Sequence, residues 1–213
     1  MKKISNILPK VILTGFGPFG PYKLNPTESL VDFFHENIIN GEREIIGAVL
    51  PSEYYGSFGE LSSMIDEIKP YAVISMGLSS SINSIRIETV FQNKMEGKYH
   101  DATGFMPRGE KINKELHAQK FLRSTANNVE LAKILEKNGV LAKVSKDAGT
   151  YFCNSLGYLT TEKILKYHPT VKNMFIHIPW TDDYMHKVRL EKGKIFVSKH
   201  SMQTAIELLA THI

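Results

Sequence analysis

A chain of 213 residues with 42% apolar and 23% charged residues is long enough to bury a core unaided, and the composition excludes disordered, collagenous and coiled-coil classes. Its 26 Lys and Arg against 22 Asp and Glu leave a charge of +4 that is scattered, with no basic block to mark a nucleic-acid partner. The apolar runs fall far short of the ~18 residues of a membrane span, and the lone cysteine excludes an internal disulfide or a Cys-rich metal site, which fits a cytoplasmic protein.

At the start, Met1-Lys2-Lys3-Ile4-Ser5-Asn6 has lysines without the apolar block of a signal peptide behind them. Residues 11–14 are a buried strand candidate, and Thr27 is placed to cap a short helix burying Leu30, Val31, Phe33 and Phe34. A second strand is expected over 44–50, ended by Pro51. After Ser52, the residues Tyr55, Phe58, Leu61, Ile65 and Ile68 recur at helical spacing; Pro70 follows, and 72–76 reads as a third strand ending at Gly77. Over 85–91 the period changes to two, with Ile85, Ile87 and Phe91 on one face and Arg86, Glu88 and Gln92 on the other. Asn128 is placed to cap a helix carrying Leu131, Ile134 and Leu135, which stops at Asn138-Gly139. A strand over 141–144, a helix over 154–167, a strand over 174–178 and a helix over 201–212 with Met202, Ile206 and Leu209 inward complete the chain.

Strands alternating with helices predict one α/β domain over 1–213, a mostly parallel twisted sheet with helices on both faces. The exception is 94–123, which has Gly97, Gly104, Pro107 and Gly109 and no sustained periodicity. It reads as an irregular loop insertion: a lid, an interface element or a disordered surface segment.

Gly15-Phe16-Gly17-Pro18-Phe19-Gly20 matches the dinucleotide-binding glycine pattern behind a strand, but its context contradicts that function. The third glycine of such a site opens a helix whose amides hold a pyrophosphate. Here Pro21 and Asn25-Pro26 delay the helix to about Thr27, and the second strand ends in Val49-Leu50-Pro51 without the expected acid. A rigid turn presenting Phe16 and Phe19 is the better reading, with core packing of both rings as the plain alternative.

Cys153 lies between a strand and a helix in Asp147-Ala148-Gly149-Thr150-Tyr151-Phe152-Cys153-Asn154. A lone cysteine is more often an inert buried thiol. A strand-to-helix turn, however, can present it at the end of the sheet, and a helix N-terminus lowers a thiol's pKa. His177 is the polar residue of an apolar strand, 24 positions further on. One right-handed β-α-β step would bring it to the same sheet edge, although many such histidines are hydrogen-bonded core residues. Glu88 would orient the imidazole if its strand neighbours that of His177, and Arg86 would keep it ionised; a solvated surface carboxylate is the alternative. The remaining histidines show no metal-ligand spacing, and no P-loop, H-E-x-x-H or G-x-S-x-G motif occurs.

Four segments together resemble the pyroglutamyl peptidase I (pyrrolidone-carboxyl peptidase) family: residues 13–20 with Asn25-Pro26-Thr27, residues 77–93, residues 147–154, and Phe175-Ile176-His177-Ile178-Pro179. The resemblance implies a cysteine exopeptidase, without metal or cofactor, acting on peptides with an N-terminal pyroglutamate. It implies Cys153 as nucleophile, His177 as general base and then acid, and Glu88 as the orienting carboxylate. It further implies that Phe16, Phe19, Tyr151 and Phe152 line a pocket for the lactam ring, with Leu78 offering backbone groups. The Cys153 N–H would serve as an oxyanion donor, and a homo-oligomer is expected. Two stretches depart from the family pattern: Thr89 stands where a basic residue is usual, and Ser79-Ser80-Ser81-Ile82-Asn83 replaces a glycine- and arginine-containing stretch. A relative that cleaves another amide, a non-catalytic binding protein with a buried Cys153, and, last, a nicotinamide-dependent oxidoreductase stay open as alternatives.

Overall fold

The computed structural model of the protein describes residues 8–188 and 196–213; the N-terminal hexapeptide read above lies outside them. The apolar Val11-Ile12-Leu13 run makes β1 (Lys10–Phe16) a central strand, buried on both faces from Val11 onward. The chain then turns through the aromatic loop into α1 (Pro26–Phe34). Asn25, not Thr27, is its cap: the Asn25 side chain accepts the Thr27 N–H at 3.1 Å, and Pro26 fills the first turn, where a missing N–H costs nothing. Thr27 is instead buried, and its hydroxyl accepts the Phe16 N–H at 2.9 Å and donates to the Phe16 carbonyl. Leu30, Val31 and Phe34 face the core, whereas Phe33, expected there, is half exposed.

A short edge strand, β2 (Ile38–Ile39), leads to β3 (Arg43–Leu50), α2 (Gly56–Ile68) and β4 (Ala72–Leu78). Tyr55, expected within the apolar stripe of α2, precedes that helix and is exposed. The period-two stretch is two strands rather than one: β5 (Ile85–Glu88) lies in the main sheet, and β6 (Val90–Gln92) leaves it after Thr89. Phe91 therefore does not share a face with Ile85 and Ile87 but packs under a later helix. The 94–123 stretch carries short strands β7 (Met95–Glu96), β8 (Arg108–Glu110) and β9 (Phe121–Arg123), with β7 pairing β8 and β6 pairing β9. α3 (Asn128–Lys137) is capped by Asn127, one residue before the expected Asn128. β10 (Ala142–Ser145), α4 (Phe152–Tyr167), β11 (Lys172–Ile178) and α5 (Lys199–His212) follow.

The seven-stranded sheet has the order β10-β5-β11-β4-β1-β3-β2. β3, β1, β4 and β11 are mutually parallel, β2 runs against β3, and β5 runs against β11. β10 is parallel to β5 and so opposes β11, from which β5 separates it. The single β-α-β step expected between Cys153 and His177 is therefore absent; α4 and β11 are joined instead as a helix followed by a strand of reversed direction.

Alternation along each strand sorts the core into two layers. Val11, Leu13, Ile74, Ile85, Ile87 and Ile176 face α1, α3 and α5, whereas Ile12, Val73 and Phe175 face α2 and α4. The sheet is thus mostly parallel with helices on both faces. On the second layer Gly157 of α4 lies directly on the Phe91 ring, where an added Cβ would overlap the ring carbons. Alanine favours a helix over glycine by about 1 kcal/mol, but Phe91 is fully buried and cannot yield. Gly157→Ala should therefore lower stability by about 1–3 kcal/mol through overpacking, read as a fall in the urea midpoint at unchanged slope; an unchanged or higher midpoint would contradict this packing.

Candidate active site

The antiparallel register of β5 and β11 sets Glu88 opposite Phe175 and Arg86 opposite His177. Opposed residues of such a pair project to the same face, so Glu88 and His177 are diagonal neighbours on the layer that carries α4. Their side chains meet there, with His177 Nδ1 2.9 Å from Glu88 Oε1. Glu88 is not on a solvated face: it is fully buried, and its second carboxylate oxygen, Oε2, has no partner among the described residues. Asn128, freed from capping, donates from Nδ2 to the Glu88 carbonyl at 3.1 Å and fixes the end of β5. Arg86 forms no ion pair with Glu88 among the described residues.

Cys153 approaches the same point from above. It sits in the first turn of α4, which begins at Phe152, two residues before the expected start. A Cβ on Gly77 would be 2.8 Å from Cys153 Sγ, 3.0 Å from Phe175 Cζ and 3.3 Å from His177 Cδ2. The thiol and the imidazole thus converge over a strand position that only glycine can occupy. The α4 N-terminus is held by Asn154, whose Nδ2 donates to the carbonyls of Gln92 and Lys94 at 2.9 Å, and whose Oδ1 accepts the Gln92 N–H at 2.9 Å. Ser155 adds a bond from its hydroxyl to the Tyr54 carbonyl at 2.8 Å.

The expected lowering of the thiol pKa does not occur. Burial pushes Cys153 up from its ordinary 9.0, and the charge of Glu88 adds to this; the residue's own N–H acts in the opposite direction without prevailing. The desolvation of a side chain that is 6% exposed outweighs the partial charge of one helix end.

A cavity of about 530 Å³ opens above this group. Phe19, Tyr22, Phe152 and Leu78 form an apolar wall, and Tyr99 and Tyr151 a second aromatic one. Phe152 stands edge-on to Phe19 at 5.4 Å. Phe16 does not line the cavity; it is buried behind the wall, edge-on to Phe152 at 5.0 Å. The Tyr151 hydroxyl accepts the N–H groups of Lys98 and Tyr99, at 2.5 and 3.1 Å, which ties the start of the 94–123 stretch to the cavity rim. Asp101 organises the next turn by accepting from the N–H groups of Thr103, Phe105 and Tyr54.

The two stretches noted as departures behave differently. Thr89 turns away from the cavity, its N–H and hydroxyl both bonding the Ser145 carbonyl, at 2.8 and 2.6 Å. Residues 79–81 do line it, and Ser80 Oγ is 2.8 Å from the Tyr22 hydroxyl. Gly77 and Asn154 belonged to segments that resemble the family, but neither was given the packing and bracing roles seen here; Tyr22 was not singled out by sequence reasoning, and no signal marked it.

The glycine-rich turn has a structural explanation. A Cβ on Gly15 would lie 2.8 Å from Thr27, so the strand can approach the start of α1 only without a side chain. Asn25 Nδ2 donates to the Gly17 carbonyl at 3.0 Å, and α1 starts six residues beyond Gly20. Among the described residues no group of three His, Cys, Asp or Glu side chains is placed to hold a metal, and no helix is long and apolar enough to cross a membrane.

The family model described as "Pyroglutamyl peptidase" matches residues 9–213. A pyrrolidone-carboxylate peptidase from Oceanobacillus iheyensis is 35% identical over 199 residues, covering 93% of this chain and 96% of that protein. One from Thermococcus litoralis is 36% identical over 82% of this chain and 78% of its own. Among solved structures, pyroglutamyl peptidase I from Bacillus amyloliquefaciens superposes with a TM-score of 0.87 at 28% identity, covering 96% of both chains. The pyrrolidone carboxyl peptidase of Thermococcus litoralis gives 0.87 at 32% identity over 96% of this chain and 92% of that one. The chain belongs to the pyroglutamyl peptidase family of enzymes.

Proposed function

We propose that the protein is a cysteine exopeptidase that removes N-terminal pyroglutamate from peptides through a thioester intermediate. The observation that carries the reading is the convergence over Gly77 of the Cys153 thiol and the His177 imidazole, whose far nitrogen is bonded to Glu88 at 2.9 Å. Glu88 accepts from Nδ1–H, which leaves Nε2 with its lone pair free as the base. As Cys153 Sγ attacks the pyroglutamyl carbonyl carbon, its proton passes to Nε2. The carbonyl oxygen becomes an oxyanion. The first bond within α4 runs from the Ser155 N–H to the Tyr151 carbonyl, so the helix makes no use of the Cys153 N–H, which is available to that oxyanion. The C–N bond then breaks, the departing amine takes the proton from Nε2, and a thioester remains. Water attacks the thioester, giving a proton to Nε2; the C–S bond breaks and the sulfur recovers that proton. Each step uses only these groups and water.

The aromatic walls suit a small, flat, uncharged lactam: pyroglutamate needs apolar faces and a few placed hydrogen bonds. Phe19, Phe152 and Tyr22 offer the faces, Phe16 supports them from behind, and Leu78 carries backbone groups at the end of β4. The resting nucleophile is a neutral thiol, because burial and Glu88 oppose its ionisation. It becomes a thiolate only as His177 takes the proton, and the resulting imidazolium sits against the buried Glu88 carboxylate.

Cys153→Ala should abolish release of a fluorescent amine from a pyroglutamyl amide; turnover that survived in the alanine variant would remove Cys153 from the chemistry, and no turnover by folded, reduced wild type would sink the reading. Glu88→Gln keeps the shape but cannot hold the proper tautomer. It should lower kcat by about 10²- to 10⁴-fold with KM changed far less; a loss confined to KM would assign Glu88 to binding instead. The raised thiol also links stability to pH. A group with a raised folded pKa contributes stability that is intact below its unfolded value, here the ordinary 9.0, and lost as pH climbs beyond it. The wild type should therefore lose stability above that pH more steeply than Cys153→Ala in denaturant titrations; parallel curves would mean that the folded thiol is not held neutral.

A further inference from the structure

Gly77, His177, Arg86 and Lys143 form one row across four adjacent strands, in the register β4, β11, β5, β10. All four project to the layer that carries the cavity, since Glu88 and His177 do and the register keeps opposed residues together. On the Gly77 side of the row the aromatic wall closes the cavity, with the exposed Lys98 at its rim, held through its backbone N–H to Tyr151. On the other side Arg86 lines its mouth, and Lys143 lies beyond it on the edge strand; both are exposed. Neither forms an ion pair among the described residues. Of the nearby acids, Glu88 is buried and bonded to His177, and Asp147, also at the mouth, keeps its charge and accepts the Gly149 N–H at 2.9 Å but pairs with neither cation among the described residues, so that the row keeps a net positive charge.

Granting the peptidase reading, the pyroglutamyl ring occupies the aromatic side and the leaving peptide must pass over the basic side. Adjacent strands are about 4.8 Å apart, and an extended peptide advances about 3.4 Å per residue. The first residue after the scissile bond then lies beside Arg86 and the third approaches Lys143. We propose that Arg86, extended by Lys143, is a carboxylate-binding subsite that selects substrates carrying an acidic group just after pyroglutamate. The carboxylate can come from an acidic side chain or from the free C-terminus of a very short peptide. The guanidinium fork suits either, as a planar two-oxygen acceptor.

The test compares kcat/KM for pyroglutamyl-Glu-Ala amide against pyroglutamyl-Gln-Ala amide, and for pyroglutamyl-Ala as free acid against its amide. A fluorogenic pyroglutamyl amide without a carboxylate serves as the reference. The wild type should prefer the carboxylate partner of at least one pair by about fivefold, the size of an exposed charge contact. The pair that discriminates identifies the source of the carboxylate. The preference should shrink at about 0.5 M salt, where screening is strong, and vanish in Arg86→Gln. Lys143→Gln, on an exposed edge position, should reduce the preference only where the acidic residue is third after pyroglutamate, as in pyroglutamyl-Ala-Ala-Glu amide against its Gln counterpart, and retained turnover of the fluorogenic amide shows that the Arg86 variant is folded. Turnover of the fluorogenic amide with no preference in either pair would overturn the subsite alone. A uniform loss on every substrate in Arg86→Gln would also overturn it, by showing a role in the chemistry. No turnover of any pyroglutamyl compound would overturn the peptidase reading and the subsite with it.

Discussion

β5 enters the sheet against the direction of β11, and this reversal decides what the site contains. With the reversal, Phe175 faces Glu88 and His177 faces Arg86, so a single strand pair delivers both the buried carboxylate that holds the imidazole and the exposed cation beside it. The other elements adapt to this pair. Asn128 spends its side chain on the Glu88 carbonyl, α3 takes Asn127 as its cap, and the chain leaves the sheet at Thr89 to form β6 under α4. Asn154 then binds β6 and its continuation to the start of α4, and so sets the height of Cys153 above the sheet.

The arrangement is costly in its own terms. Glu88 keeps one oxygen buried without a partner among the described residues, and Cys153 is desolvated enough to resist ionisation. An unsatisfied buried polar atom costs about 1–3 kcal/mol, which the chain tolerates because dense packing on either side supplies far more. Under the proposed mechanism these costs have a use. A buried carboxylate gains most when the imidazole beside it becomes charged, and a thiol that stays neutral at rest is protected from adventitious oxidation. The site is therefore poised for a proton to move rather than already charged.

Much of this was legible in the sequence, for identifiable reasons. Strand and helix periodicity recovers the elements on which burial is one-sided or complete, such as β1, β4, β11 and α5, since there the pattern and the packing are the same fact. Cys153, His177 and Glu88 could be singled out because each is a chemically distinct residue in a defined local setting. Strand direction could not be read: β10 and β11 flank one helix and look like a β-α-β unit, yet β5 lies between them and they run opposite ways. The depth of Glu88 was hidden for the same reason. An Arg-x-Glu alternation reads as a solvated face, and it takes the tertiary cover of α4 and His177 to bury one of the two and leave the other in water.

The glycines show how a local motif can mislead and still be informative. Gly15 and Gly17 fit a nucleotide-binding pattern, but Gly15 serves the approach of β1 to Thr27, and the turn after it is held by a backbone carbonyl that accepts from Asn25; a side chain at Gly17 would meet nothing. Gly77 opens one of the segments that resemble the family, and a side chain there would displace the thiol, the Phe175 ring and the imidazole together. The two cases share one physical cause, backbone approached too closely for a Cβ, and differ in what approaches: a helix start in one, the reactive side chains in the other. The aromatic wall and the Arg86–Lys143 row, whose cations form no ion pair among the described residues, then give the cavity two different sides, one of rings and one of exposed charge. Under the proposed reading, a peptide that spans His177 would meet different forces on the two sides, dispersion and desolvation behind the scissile bond and electrostatics ahead of it.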